Sequence, residues 1–322
     1  MKLLSIAAAI AGIAVIAWLV AHFGPAAILA ALSAVGWRAF LAICLIHLAL
    51  IAVMGLAWRV LLPETSPWAP IWGRLVREAG AELLPFSQVG GYVLGARAAS
   101  LFGIGATRAA ASTIVDVTLE FFAEIAYVAM ALLWLLHVRP GAGFALPAVS
   151  GLAFAALLAA LFLVVQRRGF DRFDRFARMI GRGWAERTAD GAAQLHAAIG
   201  SIYKRRLGLS ANSLIHFACW IASGVEVWIA LRVAGAPLSF ATVLILEALL
   251  YAVRTAAFAV PLGVGVQEGA YVIVGASFGL SPELALALSL IKRARDLAIG
   301  LPALGALQAI ESGRLWRRRA LR

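Results

Sequence analysis

Long apolar runs, punctuated by glycine and proline, fill most of this chain. Residues 3–21, 38–57, 144–165 and 209–231 are each apolar over roughly the twenty positions a helix needs to cross a bilayer. The pattern predicts full spans at 3–22, 38–61, 108–136, 144–166, 209–232 and 283–309. Gly24-Pro25 closes the first of these. Two pairs of shorter helical arms lie between them, 67–84 with 87–101 and 240–259 with 264–278. The first pair turns at Leu84-Pro85-Phe86-Ser87 and the second at Val260-Pro261-Leu262-Gly263. Because the arm 87–101 is short for a crossing, both pairs are expected to be re-entrant hairpins with a proline tip.

The two halves match when the chain is shifted by 176 residues. Pro85 then falls on Pro261, Phe102-Gly103 on Phe278-Gly279, and Ala109 and Ala111 on Ala285 and Ala287. Thr113 falls on Ser289, and Glu120 on Asp296. Internal duplication in an apolar chain marks membrane transporters, whose sites lie where the copies meet. The expectation is an all-α integral membrane protein with an inverted-topology repeat, six full spans and two hairpins. Its single transmembrane domain would comprise a first helix (1–32), repeat A (33–137), a linking helix (138–166), a cytoplasmic basic segment (167–206), repeat B (209–311) and a basic tail (312–322).

Composition agrees: 63% of the 322 residues are hydrophobic and only 14% charged, where a soluble domain carries about a quarter. The net charge of +12 sets the orientation, since more than half of the 28 Lys and Arg lie in 167–206 and in the closing residues 314–322. Such bias marks the cytoplasmic side and contact with anionic lipid, not nucleic acid. With both segments inside, the N-terminus is also inside, and the hairpins enter from opposite faces. Phe170, Phe173, Phe176, Ala177, Ile180 and Trp184 recur at helical spacing among arginines. They describe either an amphipathic helix on the membrane surface or one packed on the protein itself. Trp18, Trp37, Trp58, Trp68, Trp72 and Trp316 fall near span ends, as interfacial anchors do. Cys44 and Cys219 sit inside spans and read as core residues. The apolar run after Lys2 is longer than a signal-peptide core and reads as an uncleaved helix.

Charges inside the apolar segments change the picture most. The span 108–136 carries Asp116, Glu120 and Glu124 on one face, four residues apart. The span 283–309 carries Lys292, Arg293, Arg295 and Asp296. The first arms carry Arg74, Arg77, Glu78 and Glu82, then Glu247 and Arg254, and the second arms Gln88, Arg97, Gln267 and Glu268. Each buried charge costs about 2.5–3.5 kcal/mol even on a lenient insertion scale, so they must pair or reach water. One reading is a polar midplane cavity for a lipid head group, lined by Arg77, Glu78, Glu82, Gln88, Arg254, Gln267, Glu268 and Asp296. Its arginines would hold phosphate and its carboxylates a cation or proton. The other reading is a network of ion pairs pinning the hairpins to the helices that carry Asp116, Glu120, Glu124, Lys292 and Arg293. His47 and His216 have no carboxylate at ligand spacing in sequence, so no metal is expected. No G-x-S-x-G, Walker A or H-E-x-x-H motif is present, and no cofactor or catalytic residue is assigned.

The segments REAGAELLPFSQVGG, GARAASLFGI and ASTIVDVTLEF within 72–124 resemble the membrane region of lysylphosphatidylglycerol synthases and their stand-alone relatives. So do PLGVGVQEGA and LIKRARDL in the second half. That family often places an acid or base, Arg, two residues and then Asp on the helix after a hairpin. Lys292-Arg293-Ala294-Arg295-Asp296 fits, whereas Asp116-Val117-Thr118-Leu119-Glu120 departs, with Val where Arg is usual. LLPFSQVGG and VDVTLE are most similar to the subgroup associated with bacterial hopanoid biosynthesis. The resemblance implies a flippase-like protein of the bacterial inner membrane, without the soluble domain that aminoacylates the lipid. Its partners would be membrane lipids (a hopanoid, or an anionic or aminoacylated phospholipid). The alternatives are a scaffold for lipid-biosynthesis enzymes and an intramembrane enzyme acting on lipid head groups.

Overall fold

The computed structural model of the protein describes residues 17–18, 20–23, 25–84, 87–138, 145–168, 182–257, 260 and 263–320. The described elements are all helical: α1 (Pro25–Leu61), α2 (Trp68–Leu83), α3 (Ser87–Leu101), α4 (Ala106–Val138), α5 (Ala145–Arg168), α6 (Arg182–Tyr203), α7 (Arg206–Val233), α8 (Phe240–Ala256), α9 (Val266–Ala276) and α10 (Pro282–Ala320). By length and hydropathy α1, α4 and α7 are each able to cross a membrane. Apolar side chains such as Leu146, Ile273 and Leu207 stand exposed. That is the outer surface of a protein solvated by lipid.

Two boundaries differ from expectation. Residues 25–35, which fall between the predicted spans 3–22 and 38–61, are helical, because Pro25 starts a run rich in alanine and leucine. The break falls instead at Gly36, whose φ of 70° kinks α1 and leaves 37–61 as the predicted second span. The last helix does not stop at 309 but runs to Ala320, through Pro302. The tips Pro85 and Pro261, most of the first span, and the stripe at 170–180 lie outside the described residues.

Positions 176 residues apart share local geometry. Ala106 and Pro282 both begin a helix. Before them, the amide of Phe102 donates to Ala99 O and that of Phe278 to Gly275 O, closing matched turns. Gly103 and Gly279 follow at φ 99° and 81°, a left-handed conformation that side chains resist.

The chain forms two compact units, one of residues 1–52, 74–95 and 221–322, the other of 53–73 and 96–220. Each draws on both 33–137 and 209–311. In the second unit, α4 packs against α5 and α6. Trp58, Leu62, Ile104, Val115, Ile199 and Ile202 share its core, with Trp58 Nε1 donating to Ser112 Oγ at 3.0 Å. The C-terminal end of the basic segment thus packs on the protein itself. In the first unit, α9 packs between α8 and α10.

Candidate functional site

The charged residues of the first unit come together as ion pairs. Arg74, Arg77, Glu78 and Glu82 recur every three to four residues along α2, so they share a face. The arm α3 can lie close behind α2 because Gly91 has no side chain. A Cβ there would sit 2.5 Å from Arg77 O and 2.7 Å from Ala81 N. Arg74 Nη2 donates to Glu78 Oε2 at 2.8 Å. Arg77 lies over the Tyr92 ring at 5.8 Å, and Tyr92 OH donates to Gln88 Oε1 at 3.1 Å.

One pair joins arms from the two hairpins. Arg254 Nη2, on α8, donates to both carboxylate oxygens of Glu82, on α2, at 2.7 and 2.9 Å. Such charge-assisted contacts are about twice as strong as neutral ones. The side chains of this pair stay 21% and 12% exposed.

Further pairs radiate from α10. Lys292 Nζ donates to Glu247 Oε2 at 2.6 Å, and Tyr271 OH donates to the other oxygen at 2.6 Å. Lys292 also faces the Tyr251 and Tyr271 rings at 5.1 and 5.6 Å. Arg293 Nε donates to Glu268 Oε1 at 2.6 Å, and Nη2 to Gly263 O at 3.1 Å. Glu268 also accepts from Gly265 N at 2.7 Å, capping α9, and from Ser289 Oγ at 3.3 Å. Gln267 Nε2 donates to the same Ser289 Oγ at 3.0 Å. Arg295 binds Asp296 Oδ1 through Nε and Nη2 at 3.0 and 2.7 Å and also pairs with Glu226. These contacts offset the cost of holding charges in apolar segments.

Asp116 and Glu120 lie in the second unit. Asp116 Oδ1 accepts from Asn212 Nδ2 at 2.7 Å and lies 3.0 Å from His216 Nε2. Glu124 is four residues further along α4. The histidines, uninformative by spacing, both meet carboxylates in the fold: His216 meets Asp116, and His47 Nδ1 lies 3.0 Å from Glu226 Oε1. Glu226, Asn212, Tyr251 and Tyr271 were not singled out by the sequence, and Ser289 only as the repeat partner of Thr113. The signal that exists is a polar group in an apolar run; its partner lies about a hundred or more residues away in the two histidine contacts.

These features describe a multi-pass helical membrane protein with ion pairs built into its apolar segments. The family described as lysylphosphatidylglycerol synthase TM region matches residues 3–303, and the chain belongs to that family. Comparison with curated proteins and with solved structures gave no match.

Proposed function

We propose that this protein moves a lipid between the leaflets of a bacterial inner membrane, its cargo a hopanoid or a modified phospholipid. Family membership supports a role in lipid handling. The Lys and Arg distribution supports cytoplasmic termini and hairpins of inverted topology. The observation that carries the reading is the Glu82–Arg254 pair, which joins arms of both hairpins. With Arg254 21% and Glu82 12% exposed, the pair is open to exchange, against 8% and 0% for Lys292 and Glu247. A head-group phosphate takes Arg254 with the geometry the carboxylate now uses, and a head-group amine takes Glu82. The site so proposed also takes in Arg77, Glu78, Gln88, Gln267, Glu268 and Asp296. The pairs on α10 hold the frame while the hairpins rock about the site. Coupling, if any, is to protons or the membrane potential, since the sequence holds no ATP motif. The protein is not an enzyme in this account.

The test is transport by protein reconstituted in liposomes with head-group-labelled phospholipids and a labelled hopanoid, read as protection from an impermeant quencher. Wild type is expected to move at least one of these lipids, and Arg254→Gln and Asp296→Asn to lose that movement. Movement of none by folded wild type, or undiminished movement by both variants, overturns the proposal.

A second reading, a scaffold for lipid-biosynthesis enzymes, draws on the closed pairing of Lys292, Arg293 and Arg295 with carboxylates. It predicts that neutralising Arg254 leaves cellular lipid output unchanged, whereas removing the arginines of 167–206 lowers it.

A further inference from the structure

Two helices of the second unit each present two polar side chains at four-residue spacing: Asp116 and Glu120 on α4, Asn212 and His216 on α7. The ligand atoms of Asp116, Glu120 and His216 lie within 4.8 Å of one another. Asp116, Asn212 and His216 are fully buried. Asn212 has a fixed orientation, because its Nδ2 donates to Ala57 O at 2.9 Å and to Asp116 Oδ1 at 2.7 Å. Its Oδ1 is left buried with no hydrogen-bond donor. A carbonyl oxygen in that state is costly and calls for an explanation.

We infer that Asp116, Glu120, His216 and the Asn212 carbonyl oxygen form a site for a divalent cation of the zinc or manganese class. Imidazole with carboxylates is a donor set that such ions accept, whereas sodium and calcium favour oxygen alone. Helical bundles build metal centres from carboxylates and histidines that project inward from facing helices. Ligand bonds of roughly 2.0–2.2 Å require the donors to draw in to about 3.4 Å from one another. That is a contraction of side chains, not of helices. An ion held by His216 Nε2 requires the neutral imidazole with its proton on Nδ1. Glu120 is the only partly buried member of the four. This inference does not rest on lipid transport and stands or falls apart from it.

The experiment uses full-length protein in detergent, stripped with a chelator. Zn²⁺ is titrated against a chromophoric competitor, and Mn²⁺ binding is followed by paramagnetic resonance. Wild type is expected to bind one ion per chain and to gain thermal stability on binding. Asp116→Asn and His216→Gln are expected to lower affinity at least tenfold, and Asn212→Asp to keep or raise it. His137→Gln, an exposed histidine outside the cluster, is the control and should bind as wild type. Glu120→Gln, at the least buried of the four positions, covers the case in which the other variants fail to fold. Wild type binding less than one ion of either metal overturns the inference. So does unchanged affinity in those variants that fold, Glu120→Gln included.

Discussion

The two units handle buried carboxylates differently. In the first, Glu247, Glu268 and Glu226 each meet a Lys or Arg from α10. In the second, Asp116 is held by an asparagine and a histidine from α7. The contrast falls at corresponding sequence positions, since Asp116 and Lys292 stand 176 residues apart. A Lys or Arg side chain ties one helix to its neighbours through ion pairs. An asparagine amide and an imidazole leave a carboxylate able to exchange a partner for a proton or an ion. The first arrangement suits a frame, the second a site that responds to its surroundings.

The largest effect should come from the frame. Glu247→Gln leaves Lys292 buried without its carboxylate and should cost about 3–5 kcal/mol, read as a lowered unfolding temperature in detergent. A Glu247→Gln protein as stable as wild type breaks the comparison, for Lys292 would then not need its partner. Next, Gly91→Leu drives a side chain into the backbone of α2 and should cost about 1–3 kcal/mol. Equal stability there would mean that the two arms do not lie in contact. In the second unit, Asp116→Asn keeps an acceptor for Asn212 and His216 and should cost only about 1 kcal/mol. A loss as large as that of Glu247→Gln would show that both carboxylates serve the same structural end. Smallest of all is Arg108→Gln. Its contact with Glu64 at 3.2 Å joins side chains 43% and 71% exposed, and its loss should cost at most about 0.5 kcal/mol.

Much of the helical layout was legible because its signals are local. Apolar length, Gly and Pro punctuation and helical spacing located 37–61, α4, α7 and all four hairpin arms within a few residues. They misread 25–35, where a proline that opens a helix was taken for one that ends it. The placement of charges in apolar segments was legible too, and it pointed to Glu82, Arg254, Glu268, Lys292 and Asp296. Their partners were not legible, since Glu82 and Arg254 lie 172 residues apart and Asn212 and Asp116 lie 96 apart. No periodicity carries across such distances. Glu226 and Asn212 escaped notice because one polar residue in an apolar run has no pattern of its own.

The central claim is that the Glu82–Arg254 pair is a lipid head-group site and not only a clamp. Exchanging the two residues, Glu82→Arg with Arg254→Glu, keeps the ion pair but reverses the positions of its charges. Transbilayer movement of a labelled lipid in proteoliposomes should then fall at least tenfold below wild type, while the unfolding temperature stays within a few degrees of it. Full transport by the exchanged protein would contradict the account, because a clamp needs only the pair and a head-group site needs its orientation.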